Sequence, residues 1–232
     1  MKNKFIIFFL ILLFNVYDFN QVIAEEFIFE VSNLEITENG NTYKGNNRGT
    51  IKTDSQLKLI SDNFEYLKKI NRLETNGDVQ LFDLSNNITI NAQQIFYLKN
   101  EEKIFTVGKT LIKISNKYDI EGFDLTLFKN KMILSSKKSA IITDSESNSY
   151  KLEEFQYSID KEILKGKNIT AITNDKKNKS DEFFFKTGFF DLKKNKFLGK
   201  DIVAKFHKDL FGDNENDPRI SAVSGYGDKI NT

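Results

Sequence analysis

The sequence predicts an all-β protein, an open antiparallel array built from strand–turn–strand repeats, and three observations carry that expectation. The apolar set is dominated by residues that suit a pleated, half-buried surface, with 22 Phe and 8 Tyr beside abundant Ile, Val and Thr, no Trp and one Pro. Apolar residues alternate with polar ones in short runs, and Asn, Asp, Lys and Gly clusters interrupt these runs too often for helices of ordinary length. One phrase recurs with a period of about thirty residues, the size that marks repeat architectures. It reads DNFEYLKKINRL around Phe64, QQIFYLKNEEKIF around Ile95, FDLTLFKNKMIL around Leu125, EEFQYSIDKEIL around Phe155 and, less closely, TGFFDLKKNKFLG around Phe189.

The first element is an address. Lys2 and Lys4 precede the unbroken apolar run Phe5 to Phe14, and Val22-Ile23-Ala24 ends in the small residue a signal peptidase requires. A spanning helix needs about 20 apolar residues, and Asn15, Asp18, Asn20 and Gln21 break this run well short of that. Residues 1–24 therefore read as a cleaved signal peptide and the chain as exported, with the folded part beginning at Phe-Ile-Phe, residues 27–29.

Within each repeat, two large apolar residues share one strand face: Phe64 and Tyr66, Ile95 and Tyr97, Leu125 and Leu127, Phe155 and Tyr157. A polar cluster follows as the hairpin turn (Lys68-Lys69, Lys99 to Glu102, Lys129-Asn130, Asp160-Lys161, Lys193 to Asn195). The returning strand ends near a small residue, at Gly77, Gly108, Ser135-Ser136, Gly166 or Gly199. A further strand closes the unit, as in Ile88 to Ala92. Roughly a dozen such strands must curl, sandwich or stack to bury their apolar face.

Composition excludes much chemistry. With no Cys there is no disulfide, iron–sulfur cluster or Cys-bound zinc. The single His207 lacks a second His or an acid at ligand spacing. No paired carboxylates or nucleophile–base set stands out, so neither an enzyme nor a cofactor is expected. Beyond the signal peptide the formal charges cancel, which argues against nucleic acid as a partner or a strong global pull toward anionic membranes. Asp144 to Asn148 lacks the Gly and final Glu of a calcium loop and reads as a hairpin tip. Asn174 to Asp181 reads as an inserted polar loop, and Phe211 to Asp217 as a linker.

The stretch GDVQLFDLSNNITINAQQIFYLKNEEKIFTVG, Gly77 to Gly108, resembles the OstA-type repeat of lipopolysaccharide transport proteins. From Glu26 to Gly199 the chain is similar to the periplasmic N-terminal domain of LptD, and slightly less so to LptA, within the same OstA-like jellyroll family. Asp217-Pro218-Arg219-Ile220 and Ser221 to Ser224 resemble the passage that leads toward the barrel in LptD-like proteins; the barrel itself is lacking. The resemblance implies a folded, V-shaped β-jellyroll over residues 25–200, with residues 201–232 as a C-terminal strand and linker. It implies a periplasmic location, outer-membrane association only through partners, and lipopolysaccharide acyl chains held in an apolar trough. Trough candidates are Leu57, Leu59, Phe64, Tyr66, Ile88, Ile90, Ile95, Tyr97, Leu125, Leu127, Phe155 and Tyr157; taken singly each reads first as a plain core position, and it is the collective stripe that suits a trough. Lys44 and Arg48 would meet phosphates at the rim. Other Lpt jellyrolls would pair through the edge strands, about Phe27 to Ile36 and Phe197 to Phe206, and head-to-tail self-association follows from the same chemistry. The competing reading is an exported structural β-repeat, solenoid-like or adhesin-like, with a sealed core.

Overall fold

The computed structural model describes residues 27–173, 180–208 and 218–228. The proposed signal peptide, most of the inserted loop and the 211–217 linker lie outside them. Apart from four single-turn 3-10 segments and the turns and loops between elements, the described residues form strands, nineteen in chain order, every pairing antiparallel, so the fold is all-β.

The strands form two half-sheets that share their long members. The first half-sheet runs β2 (Asn33–Thr37), β3 (Thr42–Asn46), β6 (Asn63–Leu67), β7 (Arg72–Asp83), β8 (Ile88–Leu98), β9 (Lys103–Ile114), β11 (Thr126–Phe128), β12 (Ile133–Ser136), β15 (Glu154–Ser158), then β16 (Ile163–Ile172), β17 (Glu182–Asp191), β18 (Lys196–Lys205) and β19 (Arg219–Asp228). The second begins with β1 (Ile28–Glu30), β4 (Gly49–Lys52) and β5 (Leu57–Ser61). It continues through the other halves of β7, β8 and β9 to β10 (Tyr118–Phe123), β13 (Ala140–Asp144) and β14 (Ser149–Leu152), and ends on the remaining halves of β16 to β19.

The long strands cross from one half-sheet to the other at a crease. The glycines expected to end strands lie inside them instead. Gly77 (φ 82°) and Gly108 (φ 80°) take the left-handed conformation that lets a strand turn without stopping. At the same level β8 slips register between Ala92 and Gln94. That slip swaps the face of its side chains, so Ile88 and Ile90 share the inner face with Ile95 and Tyr97 although their numbers differ in parity.

Along the inner row at the crease, small residues stand beside large rings. Gly45 pairs with Phe64, and Phe155 with Gly166, which continues through Gly188 and Gly199 to Gly225 across four adjacent strands. A Cβ at Gly199 would lie 2.4 Å from the Phe185 ring, and one at Gly45 2.1 Å from the Phe64 ring. Absence of a side chain at these glycines is what leaves room for the rings that lie over them.

At the tip of the first half-sheet the reversals stack into a ladder. Each donates a backbone hydrogen bond to the turn before it: Lys68 to Asn41, Lys99 to Asn71, Lys129 to Glu102, Ile159 to Met132 and Leu192 to Glu162, at 2.8–3.0 Å. The left-handed residue of the later five turns is Asn71, Glu102, Met132, Glu162 or Asn195. Only two of these are Asn, the side-chain-bearing residue that takes this conformation most readily. The hydrogen-bonded ladder sets the backbone, and the residue there tolerates it.

Ser115 is another such position, exposed and at φ 52° in the β9–β10 turn. A left-handed conformation costs a residue with a side chain about 1–2 kcal/mol, and glycine returns about 0.5–1 of that as chain entropy. Ser115→Gly is expected to stabilise the protein by about 0.5–1 kcal/mol, read as a higher urea midpoint at unchanged slope.

Two expectations about the edges need correction. The segment 27–36 is not one strand: β1 edges the second half-sheet and β2 the first, because the chain crosses the crease between them. Nor is 197–206 an edge. β18 is paired on both sides, and β19 forms the terminal edge through a register running from Lys196–Asp228 to Lys205–Arg219. Residues 219–228 thus belong to the sheet, and residue 200 lies inside β18.

Candidate functional site

The apolar interior between the half-sheets is the largest chemically distinctive feature, and the twelve trough candidates all face it. Leu57, Leu59, Ile88 and Ile90 line the second half-sheet; Phe64, Tyr66, Ile95, Tyr97, Leu127, Phe155 and Tyr157 line the first, with Leu125 just ahead of β11. All are buried, with none more than 7% exposed. They form one core with residues that the sequence pattern did not single out, among them Leu73, Leu81, Ile112, Ile142, Leu164 and Phe185. Leu73 and Leu164 close repeated phrases in which only the opening pair was read as one face, and Leu81, Ile112, Ile142 and Phe185 lie outside the phrases.

Side chains from the two half-sheets meet directly. Tyr118 of the second lies 5.5 Å from Tyr157 of the first, and Tyr150 lies 5.7 Å from Phe190. Aromatic clusters close both ends. At the N-terminal end the Phe27 ring sits 4.6 Å from Tyr66, and Phe29 stacks on Phe64 at 5.0 Å. At the other end Phe185 lies 5.1 Å from Phe190 and 5.4 Å from Phe197. Edge-on and offset ring pairs of this kind contribute about 0.5–1.5 kcal/mol each beyond area burial. In this conformation the half-sheets interdigitate and the interior is closed.

A polar latch joins the two tips. Lys117 and Tyr118, at the start of β10, donate to Glu162 at 2.7 and 2.9 Å. Glu162 occupies the repeat position held by Asn71 and Glu102, which instead accept hydrogen bonds from Tyr66 and Tyr97 of their own repeats at 2.8 and 3.0 Å. With Glu162 turned toward Tyr118, the Tyr157 hydroxyl is buried without a well-formed hydrogen bond. Burial pushes both phenols up, Tyr118 further through the neighbouring Tyr157 and Glu162, and Tyr157 through the Glu162 charge. Burial also pushes Glu162 up, but its hydrogen bonds from Lys117 and Tyr118 and the Lys117 charge outweigh that and hold it below the usual carboxylate range. Only the polar residue at the turn position was legible in the sequence; its partner at Tyr118 lies 44 residues away.

The rim candidates are placed elsewhere. Lys44 pairs with Glu65 at 3.3 Å on the outer face, and Arg48 bridges Asp62 and Asp78 at 2.9 and 3.1 Å beside the crease. The Asp144 to Asn148 segment is the expected hairpin tip. Its Asp144 carboxylate accepts from the backbone of Glu146 and Asn148 and from the Asn148 amide, which occupies both oxygens. His207 pairs with Asp181 at 2.8 Å and ties the end of β18 to the start of β17. Among the described residues no group of three or more His, Asp or Glu side chains is arranged to hold a metal, and no helix is long and apolar enough to cross a membrane.

No family model matches the sequence, and no curated protein matches it. Among solved structures, the chain is similar to LptH of Pseudomonas aeruginosa, described as the LptA-homologous periplasmic component of a conserved lipopolysaccharide transport device. The two share 16% identity over 49% of this chain and 83% of that one, at a TM-score of 0.45.

Proposed function

We propose that the chain is a periplasmic lipopolysaccharide-transport jellyroll whose interior takes up acyl chains when the half-sheets part, and whose free strand edges pair with other jellyrolls. The observation that supports this reading most is the single apolar interior. It runs from the Phe27 cluster to the Phe197 cluster, between half-sheets held at their tips by few polar contacts. An acyl chain entering it gains about 0.8 kcal/mol per buried methylene, and at the Gly166 to Gly225 row it would take the place of rings such as Phe185 that now lie over the glycines. The registered repeats and the Asp217 to Ser224 passage favour the LptD N-terminal branch of the family. Among the described residues, β1 and β2 on one side and β19 on the other have unpaired edges that offer backbone groups for pairing in series.

A second reading keeps support of its own. The hydrogen-bonded ladder of turns and the closed interior also suit an exported structural repeat with a sealed core. Photo-crosslinking separates the two. A benzoylphenylalanine at inward Leu127 or Phe155 is expected to capture lipopolysaccharide, and one at outward Phe96 or Gln156 is not. A folded protein that stays silent at both inward positions is the sealed repeat.

A further inference from the structure

Four copies of the repeat place the left-handed residue of the tip turn at one fixed offset from an inward side chain: Asn71 after Tyr66, Glu102 after Tyr97, Met132 after Leu127 and Glu162 after Tyr157. The φ angles are 50°, 48°, 48° and 53°. Each of the four donates its backbone N–H to the carbonyl three residues earlier, and its own carbonyl accepts from the next turn of the ladder. The backbone therefore presents all four side chains in the same way. Where tyrosine precedes the turn, this side chain is the acceptor for its hydroxyl: Tyr66 donates to Asn71 at 2.8 Å and Tyr97 to Glu102 at 3.0 Å. In the third copy both members, Leu127 and Met132, are apolar and nothing needs pairing.

The fourth copy has the tyrosine and the acceptor but not the bond. Glu162 accepts instead from Lys117 and Tyr118 of the facing half-sheet, at 2.7 and 2.9 Å, and the fully buried Tyr157 keeps a hydroxyl without a well-formed partner. Glu162 is the same residue type as Glu102, stands at the same offset from its tyrosine, and has φ 53° against 48°. Rotation about its own side-chain bonds is thus enough to carry the carboxylate from Tyr118 to Tyr157. A buried hydroxyl left unpaired costs about what its hydrogen bond would contribute, so the closed arrangement sets an unmet donor beside the group able to meet it. When the tips part, water replaces the carboxylate for Lys117 and Tyr118, and the Lys117 side chain is already 63% exposed.

We infer that Glu162 is a two-position switch at the mouth of the interior. It holds the half-sheets together while it accepts from Lys117 and Tyr118, and it completes the tyrosine–acceptor pair of its own repeat when they part. Opening then exchanges one set of hydrogen bonds for another and strands no buried hydroxyl. The switch supplies the regulation of the interior described above and rests on that reading only for what enters; the exchange itself is a property of the protein alone.

The test removes the closed position and leaves the other intact. In the full chain carrying Lys117→Ala with Tyr118→Phe, a crystal structure is expected to show the Glu162 carboxylate turned to the Tyr157 hydroxyl at about 3 Å, as Glu102 meets Tyr97. In that background a double-mutant cycle between Tyr157→Phe and Glu162→Ala, followed by urea unfolding, should show a favourable coupling of about tenfold in the folding constant. The same cycle in the parent protein, where Glu162 is engaged across the mouth, should show none. Tyr118→Phe alone keeps both the ring and Lys117, and should give the same coupling at smaller size if the double variant folds poorly. A carboxylate turned to solvent with water on the Tyr157 hydroxyl overturns the inference, and so does equal coupling in the two backgrounds. Neither readout involves lipid, so a failed switch and a failure to capture lipopolysaccharide at Leu127 or Phe155 are read separately.

Discussion

Phe185→Ala is expected to destabilise the protein by about 3–5 kcal/mol, and Gly199→Ala by about 1–3 kcal/mol, but the two together by less than their sum. The Phe185 ring is 1% exposed and closes the C-terminal end of the core against Phe190 and Phe197. It also lies across the crease glycine of β18, where a Cβ would sit 2.4 Å from its Cδ1 atom. Removing the ring leaves a cavity; adding the methyl forces the ring out of its place. In the Phe185→Ala background that methyl meets no ring, so its separate cost should disappear. A double-mutant cycle by urea unfolding should show a coupling of about 1–3 kcal/mol. Strict additivity would mean that the glycine row is not there to receive side chains from the facing half-sheet.

That cycle also marks where sequence reading stopped. The all-β class, the thirty-residue period and the inward face were legible because each depends on neighbours along the chain. Phe64-x-Tyr66 and Ile95-x-Tyr97 declare their common face by alternation alone. The glycines were visible but misread. Gly77, Gly108, Gly166 and Gly199 looked like strand ends, because a glycine after an alternating run marks either an end or a bend, and only the partner strand decides which. The terminal edge was missed for a related reason. Arg219 to Asp228 is rich in Ser and Gly with weak alternation, and it is a strand because β18 supplies its hydrogen bonds.

Glu162→Ala should loosen the tip-to-tip contact and cost about 2–3 kcal/mol, the size of a charge-assisted hydrogen bond plus a stranded partner. The Glu162 side chain is 16% exposed and accepts from both Lys117 and Tyr118, and Tyr118 is itself buried. Its loss leaves the Tyr118 hydroxyl without its acceptor, beside a Tyr157 hydroxyl that already lacks a well-formed bond. Tyr118→Phe removes the donor together with its need for a partner and should cost less, about 1 kcal/mol. Acid should mimic the carboxylate's loss. Because Glu162 is held below its ordinary value in the folded protein, it binds its proton more weakly there than in the unfolded chain. Its contribution is therefore complete above the unfolded carboxylate value, about pH 4.3, and is lost as pH falls through the lower folded value. The stability difference between the parent protein and Glu162→Gln should accordingly shrink from neutral pH toward about pH 3. Hydrogen exchange locates the effect: in Glu162→Ala, amides of β10 and β15 near the tips should exchange faster while those of β7 and β8 at mid-sheet keep their protection. Uniform acceleration across all strands would mean that the carboxylate supports global stability and does not hold the interior shut.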